Sequence, residues 1–534
     1  MKRTHIITIC VIFLASHSLI ATPKQNNTCI NLMELQQNDT TSDPETKNTC
    51  FCRPCTISTP GSYILCCNIN GPITITSDNV TLNLNGYTIT PREADEYAIK
   101  ISNCSQIRVY DGFIKWQNHS DISNDYPGIN IQNAHNVKIE NMQIDAFFEN
   151  EKPRALGIYC RDKSTACTIQ NCIFNCQYGI LFVEASGCTV QNCTISSATN
   201  EQHGAIGVFF QNSNGCTMQN CTVQNQDIGL RLFKTNDCTF QKINITNGIQ
   251  AGASLQPTCN NNVFYQCNIV NMETNTDFNF GFFLCTDCNY NIFQECNINK
   301  ISCNSISHSA FGFYFTNCSN NKVVNCNIKA IHGRAAGIAM FDRGKNVIDG
   351  NIIDTISTGT SQYPAAGIIN QSPQNVITNN TISNVENSNE ENDSGAAFGI
   401  YTNADYATVD ANTIQNITGM NGISNAGVTG IYCDTDSSHN IINNNNINHI
   451  DNKSTGTPKR EYGIFVHDNS DYNSINENQV ESSYYGFKTG TATHNSVLGN
   501  NTNNNTVAYD GTGIFSQDAS AALSPNYKIN YFHS

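Results

Sequence analysis

Apolar residues in this chain come in short phased segments, not in helical stripes. Between about residue 71 and residue 515, a Gly followed by two or three apolar residues recurs, as in Gly157-Ile158-Tyr159, Gly207-Val208-Phe209-Phe210, Gly281-Phe282-Phe283-Leu284, Gly312-Phe313-Tyr314-Phe315, Gly399-Ile400-Tyr401 and Gly463-Ile464-Phe465. Successive copies lie 22 to 33 residues apart, with a weaker one at Gly252 filling the one long gap. A second segment falls between them, as Cys193-Thr194-Ile195, Cys296-Asn297-Ile298, Thr381-Ile382 and Asn446-Ile447. Such β-branched runs of three to five residues, bounded by Gly and Asn, predict strands. No apolar stripe at helical spacing persists for three turns, and the lattice of a leucine-rich repeat is absent, so helical and leucine-rich arrays are excluded. A unit this small cannot bury its own apolar face and must stack on its neighbours. The pattern therefore predicts an all-β parallel solenoid of about sixteen coils, on the order of 75 Å long at a strand spacing of about 4.8 Å.

Asparagine supports this reading. Asn192, Asn220 and Asn325 occupy one phase beside the strand, where Asn tolerates the left-handed backbone of a corner and its amide can bond to the coil above. At this point the chain resembles the right-handed parallel β-helix superfamily of pectin and pectate lyases and of periplasmic carbohydrate-binding and sugar-hydrolase β-helix proteins. The stretch Gly71-Pro72-Ile73-Thr74-Ile75 through Asn85-Gly86-Tyr87-Thr88-Ile89 is similar to its opening coil, and the resemblance runs to about residue 515. It implies the fold but no single activity, because the superfamily hosts lyases, hydrolases, epimerases, copper-maturation factors, adhesins and tailspikes.

Four regions follow. Residues 1–21, with Lys2 and Arg3 before an apolar stretch from Ile6 to Ala21, read as a secretory signal peptide. The apolar stretch is too short to span a membrane, and nothing after it approaches the length required, so no integral membrane segment is expected once the signal is removed. Residues 22–70 are expected to form a Cys-rich N-terminal cap, 71–515 the β-helix, and 516–534 a C-terminal tail or cap. Export places the mature chain in a secreted, periplasmic or cell-surface setting. There Cys29, Cys50, Cys52, Cys55, Cys66 and Cys67 are disulfide candidates, with zinc as the alternative.

Most other cysteines fall in two columns: Cys167, Cys188, Cys216, Cys238, Cys259, Cys288 and Cys318; and Cys172, Cys193, Cys221, Cys267, Cys296 and Cys326. Their separation, five residues in early coils and eight from Cys259 onward, predicts a recurring three-residue corner insertion. Stacked in register, their Cβ vectors run parallel, so buried thiol ladders are expected in place of bridges.

Lys+Arg 28 against Asp+Glu 43 gives a net charge of −15. This disfavours nucleic acid and anionic membranes as partners and argues against a polyuronate; a neutral glycan or a surface protein fits better. The links leading into each Gly strand vary most in length, and the expanded copies (145–156, 196–206, 299–311, 354–366, 383–398, 415–429 and 448–462) would line one edge as a wall.

The sharpest polar constellation sits just beyond the Gly strand. Asp434 follows Gly430 by four residues and His467 follows Gly463 by four, which makes them neighbours on adjacent coils, with Asp436, Asp468 and Asp471 close by. Asp434, His467 and Asp468 are the candidate catalytic residues. No cofactor is implied beyond a divalent cation, for which Asp434, Asp436 and Asp468 are the candidate ligands. The family's polygalacturonase-like signature is not matched, since His332-Gly333-Arg334 has Ile331 where a first Gly belongs and no Asp pair is found. Consecutive rings offer a second chemistry, with Phe209, Phe282, Phe313 and Phe315 as the candidate binding platform. The leading expectation is an exported, non-catalytic glycan- or surface-binding β-helix. The alternatives are a polysaccharide lyase or glycoside hydrolase and a periplasmic metal-related accessory protein.

Overall fold

The computed structural model describes residues 49–515 apart from 93–95, 117–125, 147–154, 198–203, 275–277, 304–308, 359–363, 389–394, 421–426, 455–459, 492–493 and 512–513. The signal peptide, Cys29, most of the cap, the C-terminal tail and much of the expanded links therefore lie outside the described residues. Within them every regular element is a strand, and no helix is long and apolar enough to cross a membrane.

One coil shows the plan. It passes through Ala397–Thr402, Thr408–Asp410 and Thr413–Gly419 before the next begins at Val428–Cys433. Each strand pairs in parallel with its counterpart one coil on, Ile400 with Ile431, Val409 with Ile442 and Ile414 with Ile447. Ile400, Val409 and Ile414 face inward and are fully buried, each contributing about 1.5–3 kcal/mol of hydrophobic stabilisation. Glycine is required where the strand bends. A Cβ on Gly399 would stand 2.4 Å from the Ile414 side chain and 2.6 Å from the carbonyl oxygen of Gly430.

The result is the expected right-handed parallel β-helix. The coil count departs slightly from sixteen, because the stack of Gly strands holds eighteen, from Cys55–Ile57 to Val507–Asp510. Cys55–Ile57 already pairs with Ile73–Ile75, and Thr49–Phe51 with Gly61–Leu65. The described part of the expected cap is thus built as coils. Of its cysteines, Cys50 and Cys66 form a disulfide, whereas Cys55 and Cys67 are thiols. The Cys67 thiol is 3.6 Å from the Cys52 carbonyl oxygen, and burial pushes Cys55 up to about 11.

Register also corrects the reading of the cysteine columns. Thr239 pairs with Val263 and Val263 with Ile292, so Cys238 is followed by Asn262 and Asn291, not by Cys259 and Cys288. No three residues are inserted at the corner. Cysteine instead moves three positions earlier while asparagine takes over its column. Asparagine takes over the second column too, without any shift of cysteine, Cys326 giving way to Asn351, Asn380, Asn412 and Asn445. In each of these buried asparagines the side-chain oxygen accepts the backbone N–H of the coil below, as Asn412 Oδ1 does from Asn380 at 3.0 Å. The amide nitrogen donates onward, Asn412 to Asn445 Oδ1 at 3.0 Å. At the outer corner, Asn171, Asn192, Asn220 and Asn325 take the expected left-handed backbone, with φ of 52–54°.

Candidate functional site

The Gly strand dictates which side chains reach the outer face. Its residue directly after Gly points into the core, and the second residue after Gly points out. Phe282, Phe313 and Phe315 are therefore interior, 0–1% exposed, with the Phe282 and Phe313 rings stacked at 5.0 Å inside the coil. This removes them from the expected binding platform and keeps Phe209, which is half-buried on the outer face beside Arg231, the guanidinium lying 5.2 Å from its ring. The outward rings are Tyr159, Phe209, Phe283, Tyr314, Tyr401, Tyr432 and Phe465, and the stack ends on Lys488 and Asp510. The sequence carried a signal for this phase. The position after Gly is always apolar, whereas the next includes Asn130, Arg231, Ser254 and Lys488.

A second outer column, the residue before Gly, packs against the first. Phe280 meets Phe283 at 4.8 Å, and Phe398 meets Tyr432 at 5.2 Å. Rings concentrate in two blocks, one around Phe280, Phe283, Phe311 and Tyr314 and one from Phe398 to Tyr485, with Ala336, Ala339 and Ala366 between them. In the second block Tyr401 and Tyr485 are half-buried, while Tyr432, Tyr462 and Phe465 are covered mostly by one another. The Lys488 ammonium lies 5.1–5.7 Å from the rings of Tyr462, Phe465 and Tyr485.

The predicted polar pair lands beside this second block. Asp434 and His467 are neighbours on adjacent coils, since Cys433 pairs with Val466. The Tyr401 hydroxyl donates to the Asp434 carboxylate at 2.5 Å and the Tyr432 hydroxyl at 3.2 Å, with a third bond from the Thr435 N–H at 2.8 Å. The two tyrosines were not among the residues picked out from the sequence, although both lie two residues after Gly on successive coils. The His467 ring sits against Phe465 and Tyr432 at 5.4 and 6.1 Å. Its Nδ1 is buried without a hydrogen-bond partner, 4.0 Å from the Asp468 carboxylate.

Asp468 is turned toward the next coil. The Thr491 N–H and hydroxyl bind its Oδ1 at 2.6 and 3.0 Å and hold its carboxyl below the usual carboxylate range. Asp436 is exposed at a left-handed corner. Asp434, Asp436 and Asp468 thus do not converge on a common point. Among the described residues, the one group of three His, Cys, Asp or Glu side chains close enough to share an ion lies elsewhere. The candidate cation site read from the sequence is not assembled, because Asp434 is taken up by tyrosines and Asp468 by Thr491.

Burial first, then the hydrogen bond and charge of Asp434, push Tyr401 upward; burial, then the Asp434 charge and its hydrogen bond, push Tyr432 the same way. A tyrosine raised in the folded state contributes stability that is complete below its unfolded value near pH 10 and is lost as pH climbs through the folded value. Spectrophotometric titration is therefore expected to show late-ionising tyrosines whose ionisation coincides with alkaline unfolding. In Asp434→Ala the ionisation of Tyr401 and Tyr432 is expected to move to lower pH while the burial contribution remains. An unchanged titration curve would contradict the clamp.

Residues 178–353 and 311–503 match the family model described as "Right handed beta helix region". Together these cover more than half of the chain, and the chain belongs to that family. No curated protein matches the sequence. Among solved structures it is similar to the Dettilon tailspike protein gp208, at 16% identity over 60% of each chain with a TM-score of 0.34. It is also similar to the periplasmic alginate epimerase AlgG, at 12% identity over 66% of this chain and 72% of that one, TM-score 0.31. An exopolygalacturonase from Thermotoga maritima matches at 10% identity over 68% and 79%, TM-score 0.23. The chain spans 60% of the tailspike chain's length.

Proposed function

We propose that this chain is an exported β-helix protein that binds a neutral glycan on the outer face of its Gly strands, at the block from Phe398 to Tyr485. One observation carries the reading: two packed columns of rings, with Tyr401 and Tyr485 half-buried, lie beside the Asp434 carboxylate and the His467 imidazole. Sugars present apolar C–H faces and hydroxyl edges, so they stack on rings while donating to carboxylates. Asp434 keeps a lone pair on Oδ2 after its three bonds. The net charge of −15 favours an uncharged ligand over a polyanion.

Turnover is the second reading, favoured by the bonding of Asp434 to two tyrosine hydroxyls one coil below His467, an arrangement suited to moving a proton. A glycan array probed with the full chain, followed by reducing-end and unsaturated-product assays on each hit, separates the two. Binding without product supports the proposal, and Tyr401→Ala and Asp434→Ala are each expected to weaken it about tenfold, about 1.4 kcal/mol. Product formation abolished by Asp434→Ala favours the second reading. An array with no bound glycan, or binding only to a surface protein, refutes both.

A further inference from the structure

Three sulfur atoms meet inside the coil that begins at Ala155–Arg161. Cys160 is an inward residue near the end of that Gly strand, Cys167 directly precedes the next strand, Thr168–Gln170, and Cys188 stacks on Cys167, because Thr168 pairs with Thr189. The three Sγ atoms all lie within 4.8 Å of one another, with Cys160 and Cys167 at 3.7 Å. All three residues are 0–1% exposed.

Corner filling accounts for Cys167 and Cys188, which belong to the first thiol column. It does not account for Cys160. That residue stands in a stack where Ile131 lies below and Phe182 and Phe210 above, so packing alone calls for another large apolar side chain. Only a small residue leaves space between the column and the Gly strand, and the residue placed there brings a third sulfur. Metal–sulfur bonds of about 2.3 Å put three sulfurs around one ion roughly 3.8–4.0 Å apart, close to the spacing present. The nearby Ser164 hydroxyl donates to the Arg161 carbonyl at 2.7 Å and accepts the Ala134 N–H at 3.1 Å. It is therefore committed and does not serve as a fourth ligand. Cys216 stacks on Cys188 one coil further on, and a dry pocket whose side-chain ligands are thiols selects against Mg²⁺ and Ca²⁺ and for soft cations.

We propose that Cys160, Cys167 and Cys188 form a buried binding site for one soft d10 metal ion, with Cu(I) the best match to three mutually close sulfur ligands. Each thiol that ligates gives up its proton to solvent, up to three per ion, and no electron is transferred. With no opening to solvent, the ion enters as this coil closes during folding.

The test refolds the full chain from denaturant under anaerobic, reducing conditions with Cu(I) buffered by a coloured chelator, and in parallel with Cd(II). One equivalent of either ion is expected to be retained after desalting, with sulfur-to-cadmium charge-transfer absorption and an X-ray absorption shell of three sulfurs. Cys160→Ile, which restores the residue of the coil below, is expected to fold and to lose that equivalent. Cys433→Ser, in a distant coil, is expected to keep it, and thermal unfolding confirms that both variants are folded. No retained metal, retention unchanged in Cys160→Ile, or a Cys160–Cys167 disulfide in the unreduced protein would each overturn the proposal.

Discussion

Gly399→Val is expected to destabilise the protein by about 3 kcal/mol or more, at the upper end of overpacking costs. The new side chain meets Ile414 at 2.4 Å, and Ile414 is fully buried and held by strand pairs on both sides. The other contact is a backbone oxygen, Gly430 O at 2.6 Å, which cannot turn away as a flexible side chain can. The effect is steric, so Gly215→Ala is the informative comparison. Gly215 has a φ of +63° but nothing within 4 Å of a would-be Cβ, and its substitution is expected to cost only about 1–2 kcal/mol. Urea unfolding of the two variants beside the parent checks the ordering. Equal losses would show that crowding between coils does not fix the glycine column.

A loss of similar size, about 3–5 kcal/mol, is expected of Asn412→Ala. Asn412 accepts from the Asn380 backbone N–H and side-chain amide, each at 3.0 Å, and donates to the Ile377 carbonyl at 2.9 Å and to Asn445 Oδ1 at 3.0 Å. Alanine leaves these groups unpaired in a site 1% exposed, and each buried unsatisfied group costs about 1–3 kcal/mol. Gln415→Ala, three residues on and exposed, is expected to change stability by no more than about 0.5 kcal/mol. Hydrogen exchange adds a local check: the Asn380 amide should lose protection in Asn412→Ala and keep it in Gln415→Ala. If both variants melt with the parent, the ladder contributes nothing measurable.

Much of the fold was legible because a parallel stack repeats its constraints. Gly and the inward Ile recur at one phase since every coil meets the same steric wall, and the equal offsets of Asp434 and His467 from Gly430 and Gly463 correctly made them neighbours. What was hidden depended on register, not on residue type. Cys259 stands at the expected interval from Cys238 yet belongs to another column, and only strand pairing reveals that Asn262 has replaced it. Phe282 and Phe209 look alike in sequence, but one lies directly after Gly and the other one place further, which decides inside from outside. The first coils were concealed by their cysteines, since Cys55 reads as a bridge candidate while its strand already pairs with Ile73–Ile75. The Tyr401 and Tyr432 bonds to Asp434 were hidden because the Tyr401 contact crosses between coils 33 residues apart in sequence.

The strand ladders join each coil only to the coil before it and the coil after it, as Ile400 to Ile368 and Ile431 shows, and a few side chains, such as Gln226 to the Cys176 carbonyl, reach one coil further. Tension applied along the stack therefore passes through the coils in series, and no strand spans several of them to share the load. Yielding of one coil frees 22 to 33 residues, a lengthening of roughly 75–110 Å at about 3.4 Å per residue. Under tension such a stack is expected to give way in discrete steps and to absorb work at each one.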